Sequence, residues 1–118
     1  MPLITVYTSS ARLGPEESAT LLKRLSSALA SELGKPEAYV MTCLLPETRM
    51  TFAATTEPAC YAAIKNIGTL TPDVTQRLST TLCRLLCEGT GVPQNRIYLE
   101  FTNIEPHLFG YDGGTFAD

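Results

Sequence analysis

Leucines recur at helical spacing in two stretches of the chain, 57 positions apart. They are Leu21, Leu25 and Leu29 in the first stretch, and Leu78, Leu82 and Leu86 in the second. Residues four apart lie on one face of an α-helix. Pro15 and Pro72 stand at plausible first helical positions, and Thr71 is a good N-cap for the second helix. Gly34 and Gly91 follow the two stretches, each with a proline two residues later, which predicts where the helices end.

Segments rich in β-forming residues flank both predicted helices. They are residues 3–8, 38–45, 60–67 and 96–102. A strand–helix–strand unit joins parallel strands through a right-handed crossover. Two such units predict an α/β (α+β) fold, with a four-stranded mixed sheet covered on one face by two helices.

Two further segments complete this prediction. We expect a short extra strand at residues 48–53, whereas the tail at 105–118 is too broken by glycine and proline for a helix. Large side chains also fall on the sheet face that the helices leave open. We expect that face to pack on copies of itself in a small closed ring, and the alternative is a monomer with a polar open face.

Composition narrows the class of protein. The chain has 118 residues, of which 44 % are hydrophobic, and we expect one globular domain at residues 1–118. The net charge of -3 gives nucleic acid no electrostatic attraction. No apolar run approaches the roughly 18 residues that cross a bilayer, and no signal-peptide pattern opens the chain. We therefore expect a cytoplasmic protein with neither a nucleic-acid nor a membrane partner.

The cysteines give little support for metal or redox chemistry. They are Cys43, Cys60, Cys83 and Cys87, and none forms Cys-x-x-Cys. Cys83 and Cys87 lie four residues apart, but no second Cys/His pair accompanies them, and His107 is the only histidine. We expect reduced cysteines that pack in the interior, with no metal and no cofactor.

A series of short motifs runs through essentially the whole chain in a specific order. They are residues 1–6, Gly34-Lys35-Pro36, Tyr39, Glu57-Pro58, Ile67-Gly68, Asn95-Arg96-Ile97-Tyr98, Gly110-Tyr111 and Thr115-Phe116-Ala117. In this order the chain resembles the macrophage migration inhibitory factor family of the tautomerase superfamily. The resemblance implies two βαβ units per subunit, a homotrimer around a central channel, and three active sites at subunit interfaces. It also implies keto–enol tautomerase activity on phenylpyruvate-like and dopachrome-like compounds.

Pro2 is the candidate catalytic base. Initiator methionine is usually removed before a small residue such as proline, which leaves a secondary amine at the terminus. A free amine is mostly protonated at neutral pH, but burial and a nearby positive charge both lower its pKa. Pro2 would then accept a proton near pH 7. The alternative is that Pro2 only begins an edge strand.

The resemblance also supplies candidates for substrate binding. It implies that Lys35 pairs with a substrate carboxylate, that the backbone of Ile67 contacts substrate, and that Tyr98 closes the pocket from a neighbouring subunit. It further implies an aromatic entrance, formed here by Tyr39, Tyr111 and Phe116. The alternatives are a solvated lysine at a helix end for Lys35 and ordinary packing for Ile67 and Tyr98.

Glu100 departs from the family pattern, since the animal protein carries asparagine at this pocket position. A carboxylate beside Pro2 would favour the protonated amine, opposing the change that a base needs. It would instead act as a second acid or base in the manner of superfamily members that hydrate or dehalogenate their substrates, or simply face solvent. Tyr111 replaces a tryptophan, and residues 59–62 lack the Cys-x-x-Cys of the animal protein, so thiol oxidoreductase activity is not expected.

We therefore expect a phenylpyruvate-type tautomerase that uses Pro2 as its general base and acts on small aromatic carbonyl acids. One alternative is a cytokine-like interaction protein with vestigial catalysis, a receptor as partner and non-classical secretion. The other is a hydratase or dehalogenase that uses Glu100 to activate water.

Overall fold

The two helices of the computed structural model begin and end where the leucine repeat places them. The structure describes residues 1–11 and 13–117. Helix α1 spans Pro15–Leu33 and helix α2 spans Pro72–Thr90, so the predicted offset of 57 positions is confirmed. The side chain of Thr71 accepts a hydrogen bond at the start of α2, which pairs one of its free N–H groups. Gly34 and Gly91 end the helices in the left-handed conformation, with φ of 62° and 80°.

Four strands form one mixed sheet. They are β1 (Leu3–Thr8), β2 (Met41–Leu45), β3 (Cys60–Asn66) and β4 (Ile97–Asn103). Their order across the sheet is β2-β1-β3-β4. The pairs β1–β2 and β3–β4 are parallel, whereas β1 and β3 are antiparallel. Each βαβ unit thus supplies one parallel pair, which confirms the predicted fold class.

The second strand is shorter than predicted. It begins at Met41 rather than residue 38, because Glu37–Tyr39 forms a short 3-10 turn. Pro36, with φ of -63°, precedes that turn, and its carbonyl accepts a hydrogen bond from the Tyr39 N–H at 3.1 Å. Tyr39 therefore projects from a turn beside β1 instead of lying in the sheet.

The predicted strand at residues 48–53 is wrong. The segment contains only an isolated bridge between Phe52 and Thr55. Ala53 and Ala54 between them have φ of 53° and 62°, so the chain reverses direction there. Two successive left-handed residues make a tight turn, which is incompatible with an extended strand.

The tail forms a second, smaller sheet. After a 3-10 turn at Pro106–Leu108, strands β5 (Gly110–Tyr111) and β6 (Gly114–Thr115) pair as a hairpin. This hairpin lies close to Tyr39, as the ring contacts described below show.

Alternate residues of the central strands face the helices. Ile4 and Val6 of β1 and Ala62 and Ile64 of β3 are fully buried against α1 and α2. The helices contribute the six leucines of the repeat, together with Leu85. No helix of the described residues covers the opposite sheet face, and Met41 and Tyr98 on that side are 61 % and 65 % exposed. A single chain therefore leaves this open face largely uncovered.

Within the two described ranges, neither helix has the length and apolar character needed to cross a bilayer. The cytoplasmic location stays a prediction.

Candidate active site

A cavity of about 230 Å³ lies where β1 begins. Its lining comes from residues 1–3, 38–41, 109–111 and Phe116. Pro2 is buried, and its carbonyl accepts a hydrogen bond from the Met41 N–H at 3.1 Å. Pro2 is therefore held in place by the same hydrogen-bond ladder that pairs β1 with β2.

Three aromatic rings form one wall of this cavity. The ring centroid of Tyr39 is 5.6 Å from that of Tyr111 and 6.3 Å from that of Phe116, both in edge-on contact. Tyr111 and Phe116 stack at 5.4 Å with planes 13° apart. The 3-10 turn after α1 and the β5–β6 hairpin thus bring together three residues predicted from distant parts of the sequence.

Lys35 lies beside the terminus because Gly34 ends α1 there. Its Nζ donates a hydrogen bond to the carbonyl oxygen of Ile67 at 3.1 Å, and the lysine is only partly exposed. The Ile67 side chain is 8 % exposed, so it packs in the interior while its backbone holds the lysine. A Cβ at Gly68, where φ is 128°, would lie 3.6 Å from Lys35 Nζ. Gly68 therefore adjoins the ammonium group directly.

The terminal amine sits in surroundings that disfavour its charged form. Burial is the largest cause that lowers the pKa of the Met1 amine, and the positive charge of Lys35 is the second. While Met1 is attached, the Pro2 nitrogen belongs to a peptide bond and has no basic lone pair. Basic chemistry at Pro2 therefore requires removal of Met1.

Tyr98 lies far from this cavity within one chain, and Glu100, which is across from Ala63 on the neighbouring strand, also lies two strands away from β1. The register pairs Tyr7 with Tyr61 and Tyr61 with Tyr98, so Tyr98 lies two strands away and at the opposite end of β1 from Leu3. Four residues along a strand span about 13 Å and two strand spacings about 10 Å, so the separation is roughly 16 Å. A single chain cannot place Tyr98 at its own Pro2.

Arg96 holds the loop next to Tyr98. Its guanidinium donates hydrogen bonds to the carbonyls of Pro58 at 2.8 Å, Glu57 at 2.9 Å and Phe52 at 3.3 Å. It also lies 5.2 Å above the Phe52 ring, whose centroid is 5.0 Å from that of Tyr98. Glu57-Pro58 and Arg96 belong to the ordered motifs of the chain, but their role is visible only in the folded loop, which brings them together.

Tyr61 is a second residue whose role the sequence did not predict. Its hydroxyl donates a hydrogen bond to Glu100 Oε1 at 2.5 Å on the open sheet face. The alternation of β3 places Tyr61 on that face, but pairing with Glu100 depends on the register of β3 against β4.

Other parts of the molecule are less suited to chemistry. A larger depression of about 690 Å³, lined by residues 9, 11, 47–51 and 56, is more open to solvent and contains no aromatic wall. We assign the site to the smaller cavity because it is more enclosed and contains the terminal amine. Among the described residues no cluster of His, Cys, Asp or Glu is arranged to hold a metal. The four cysteines are free thiols, and burial, followed by the influence of Cys83, raises the pKa of Cys60 to about 12.

Comparison with known proteins identifies the family. The family described as macrophage migration inhibitory factor (MIF) matches residues 1–117. The macrophage migration inhibitory factor of Xenopus tropicalis is 32 % identical over 117 residues, covering 99 % of this chain and 100 % of the relative. The homolog from Brugia malayi is 33 % identical over 119 residues, with coverage of 99 % and 100 %.

Solved structures agree with these sequence matches. The homologue from Prochlorococcus marinus has a TM-score of 0.90 and 41 % identity, covering 97 % of this chain and 98 % of that one. The Toxoplasma gondii protein has a TM-score of 0.91 and 30 % identity, with coverage of 97 % and 99 %. With its fold, length and sequence all matching, the chain belongs to the macrophage migration inhibitory factor family.

Proposed function

We propose that this protein is a keto–enol tautomerase that acts on small aromatic carbonyl acids of the phenylpyruvate type. The observation that carries the proposal is the position of Pro2, which is buried at an aromatic cavity whose surroundings lower the pKa of the chain's terminal amine. When Met1 is removed, Pro2 carries the terminal amine at the same cavity. The two causes that lower the pKa of the Met1 amine, burial and the positive charge of Lys35, then act on the Pro2 amine in the same direction.

The neutral Pro2 nitrogen accepts a proton from the carbon between the aromatic ring and the carbonyl of the substrate. The electron pair of that C–H bond forms the carbon–carbon double bond of the enolate, and the carbonyl oxygen takes the negative charge. The protonated proline then returns its proton to that oxygen, which gives the enol. The reverse reaction uses the same base for both transfers, so the cycle needs no cofactor.

The surrounding residues orient the substrate. The Lys35 ammonium pairs with the substrate carboxylate. The substrate ring packs among Tyr39, Tyr111 and Phe116, whose mutual edge and stacked contacts favour a flat ligand. The backbone of Ile67 holds Lys35 at the required place.

We also propose a homotrimer in which Tyr98 and Glu100 of one subunit reach the Pro2 cavity of the next. Two features support this assembly: the uncovered sheet face, and the separation of roughly 16 Å between Tyr98 and its own cavity. The subunit mass of 12.8 kDa predicts a particle of about three times that mass in light scattering.

The enzymatic proposal is tested by measuring ketonisation of enol-phenylpyruvate by protein whose intact mass shows that Met1 is absent. Pro2→Gly also permits methionine removal but lacks the constrained secondary amine, and we expect its kcat/KM to fall by about 10²–10⁴. Pro46→Gly, at an exposed loop position outside the cavity, is the control. Equal activity of the wild type and Pro2→Gly would remove Pro2 from the mechanism.

The shared site is tested by mixing subunits. Pro2→Gly and Tyr98→Ala trimers are each expected to be impaired, but unfolding and refolding them together regenerates about a quarter of the sites with both native residues. Activity above the sum of the two variants supports a site between subunits, whereas no recovery refutes it.

The alternatives predict other results in these assays. An interaction protein would show no turnover that depends on Pro2. A hydratase that uses Glu100 would act on unsaturated or halogenated acids, and its activity would survive Pro2→Gly but not Glu100→Gln.

A further inference from the structure

On the open face of the sheet, the carboxylate of Glu100 is not free to point in any direction. Tyr61 lies directly across from Tyr98, and Glu100 lies across from Ala63, so the Tyr61 hydroxyl reaches Glu100 diagonally between adjacent strands. The Tyr7 ring stacks on the Tyr61 ring at 5.8 Å, with the two planes 12° apart. The ring that donates the hydrogen bond is therefore itself supported by β1.

The direction of this hydrogen bond follows from the strand order. β4 is an edge strand of the sheet that the structure describes, and it pairs there with β3. A donor on β3 pulls the Glu100 carboxylate inward over its own sheet and away from the free edge of β4. Because β3 pairs the other edge of β4 and the helices cover one face of the sheet, an adjacent subunit in the proposed trimer can approach Glu100 only from that free edge or from the open face.

The hydrogen bond also keeps Tyr61 in its donating form. The bond to Glu100 is the largest cause that raises the pKa of Tyr61, followed by burial and by the charges of Glu100 and Tyr7. Hydrogen bonds from a hydroxyl to a carboxylate are short and stronger than neutral ones. The titratable side chains on this face, from all four strands, are Tyr7, Cys43, Tyr61, Lys65, Tyr98 and Glu100.

We propose that Tyr61 is a positioning residue that turns the Glu100 carboxylate away from the neighbouring Pro2, so that this negative charge stabilises the protonated amine less than a free carboxylate would. The inference rests on the proposed function, because Glu100 approaches a Pro2 only in the trimer. It accounts for how a base at Pro2 tolerates a carboxylate where the animal protein has asparagine. Within its own subunit, the Met1 amine beside Pro2 has Lys35 as the charge that lowers its pKa, and Tyr39 and Tyr111 line the cavity.

The size of the effect follows from Coulomb's law. As an order of magnitude, a displacement of about 3 Å, for example from about 10 Å to about 7 Å from the amine, shifts a titration by about half a pH unit at an effective dielectric constant near 20. Because a negative charge favours the protonated amine, release of Glu100 moves the acidic limb of the kcat/KM profile to higher pH. At pH values below that limb, kcat/KM falls about threefold.

The test is the pH dependence of kcat/KM for ketonisation of enol-phenylpyruvate, since this profile reports titration of the free enzyme. In Tyr61→Phe we expect the acidic limb to move up by about half a unit while the alkaline plateau is unchanged. In Glu100→Gln we expect it to move down, and adding Tyr61→Phe to Glu100→Gln should then have no further effect. Tyr7→Phe, which keeps the stacked ring, is the control and should match the wild type.

Two results overturn the inference alone: a Tyr61→Phe profile that superimposes on an active wild type, or the same shift with Glu100→Gln already present. A wild type without Pro2-dependent turnover overturns the proposed function and this inference together. If Tyr61→Phe destabilises the fold, Glu100→Gln alone still tests the proposal. An acidic limb of the kcat/KM profile that does not move in Glu100→Gln contradicts it.

Discussion

Replacing Ala53 and Ala54 by glycine should stabilise this protein. Both alanines lie in the left-handed conformation, with φ of 53° and 62°, and both are exposed. A residue with a Cβ pays roughly 1–2 kcal/mol in this conformation, whereas glycine adopts it freely. Glycine costs about 0.5–1 kcal/mol through the greater freedom of the unfolded chain. The net gain is therefore about 0.5–1 kcal/mol at each position, and no packing is lost in return.

Urea unfolding followed by circular dichroism measures this gain. Protein concentration must be equal for all variants, because the stability of an oligomer depends on it. The double variant should have a higher midpoint with an unchanged slope m. The matched control is Ala19→Gly at an exposed position inside α1, where glycine should cost about 1 kcal/mol. A double variant less stable than the wild type would refute the assignment of strain to this turn.

Three further outcomes are expected. Arg96→Lys keeps the charge but loses the planar guanidinium that donates to three carbonyls, so the free energy of unfolding should fall by about 1–3 kcal/mol in the same urea experiment. An unchanged free energy of unfolding would show that these hydrogen bonds do not stabilise the loop. Burial raises the pKa of Cys60 to about 12, so its thiol should not react with a thiol reagent at pH 8 in the folded protein and should react once the protein is unfolded. Rapid labelling of Cys60 in the folded protein would contradict its burial. In the chain that keeps Met1, Lys35→Met removes a positive charge that lowers the pKa of the Met1 amine, so that pKa should rise. The pKa is measured from the acylation rate of the amine against pH, with Lys23→Met as an exposed control, and equal values in wild type and Lys35→Met would show that Lys35 has no effect.

The helices were predictable because their signals are local. Proline at the start, glycine at the end and leucine at every fourth position each act within a few residues of the chain. The turn at the end of residues 48–53 lacks such a local signal, so a strand was predicted there. The chain reverses at two alanines whose left-handed conformation is usually adopted by glycine or asparagine, so the residue types do not indicate a turn.

The site was only partly accessible from the sequence. Pro2, Lys35 and the aromatic wall entered as candidates through the family resemblance, and nothing local indicates that Tyr39 and Phe116 meet. The pairing of Tyr61 with Glu100 depends on strand register, since a shift of one residue would send either side chain to the other face of the sheet.

β1 and β3 occupy the centre of the sheet although they come from different halves of the chain. In each βαβ unit, the central strand has one edge paired within the unit and the other edge paired with the central strand of the other unit. The two units therefore depend on each other for a complete sheet. Separating β2 or β4 from the sheet breaks the hydrogen bonds of one strand pair, whereas separating β1 from β3 exposes the hydrophobic core that both units share. Amide protons of β1 and β3 should consequently be the last to exchange with deuterated solvent, with those facing outward on the edge strands lost first.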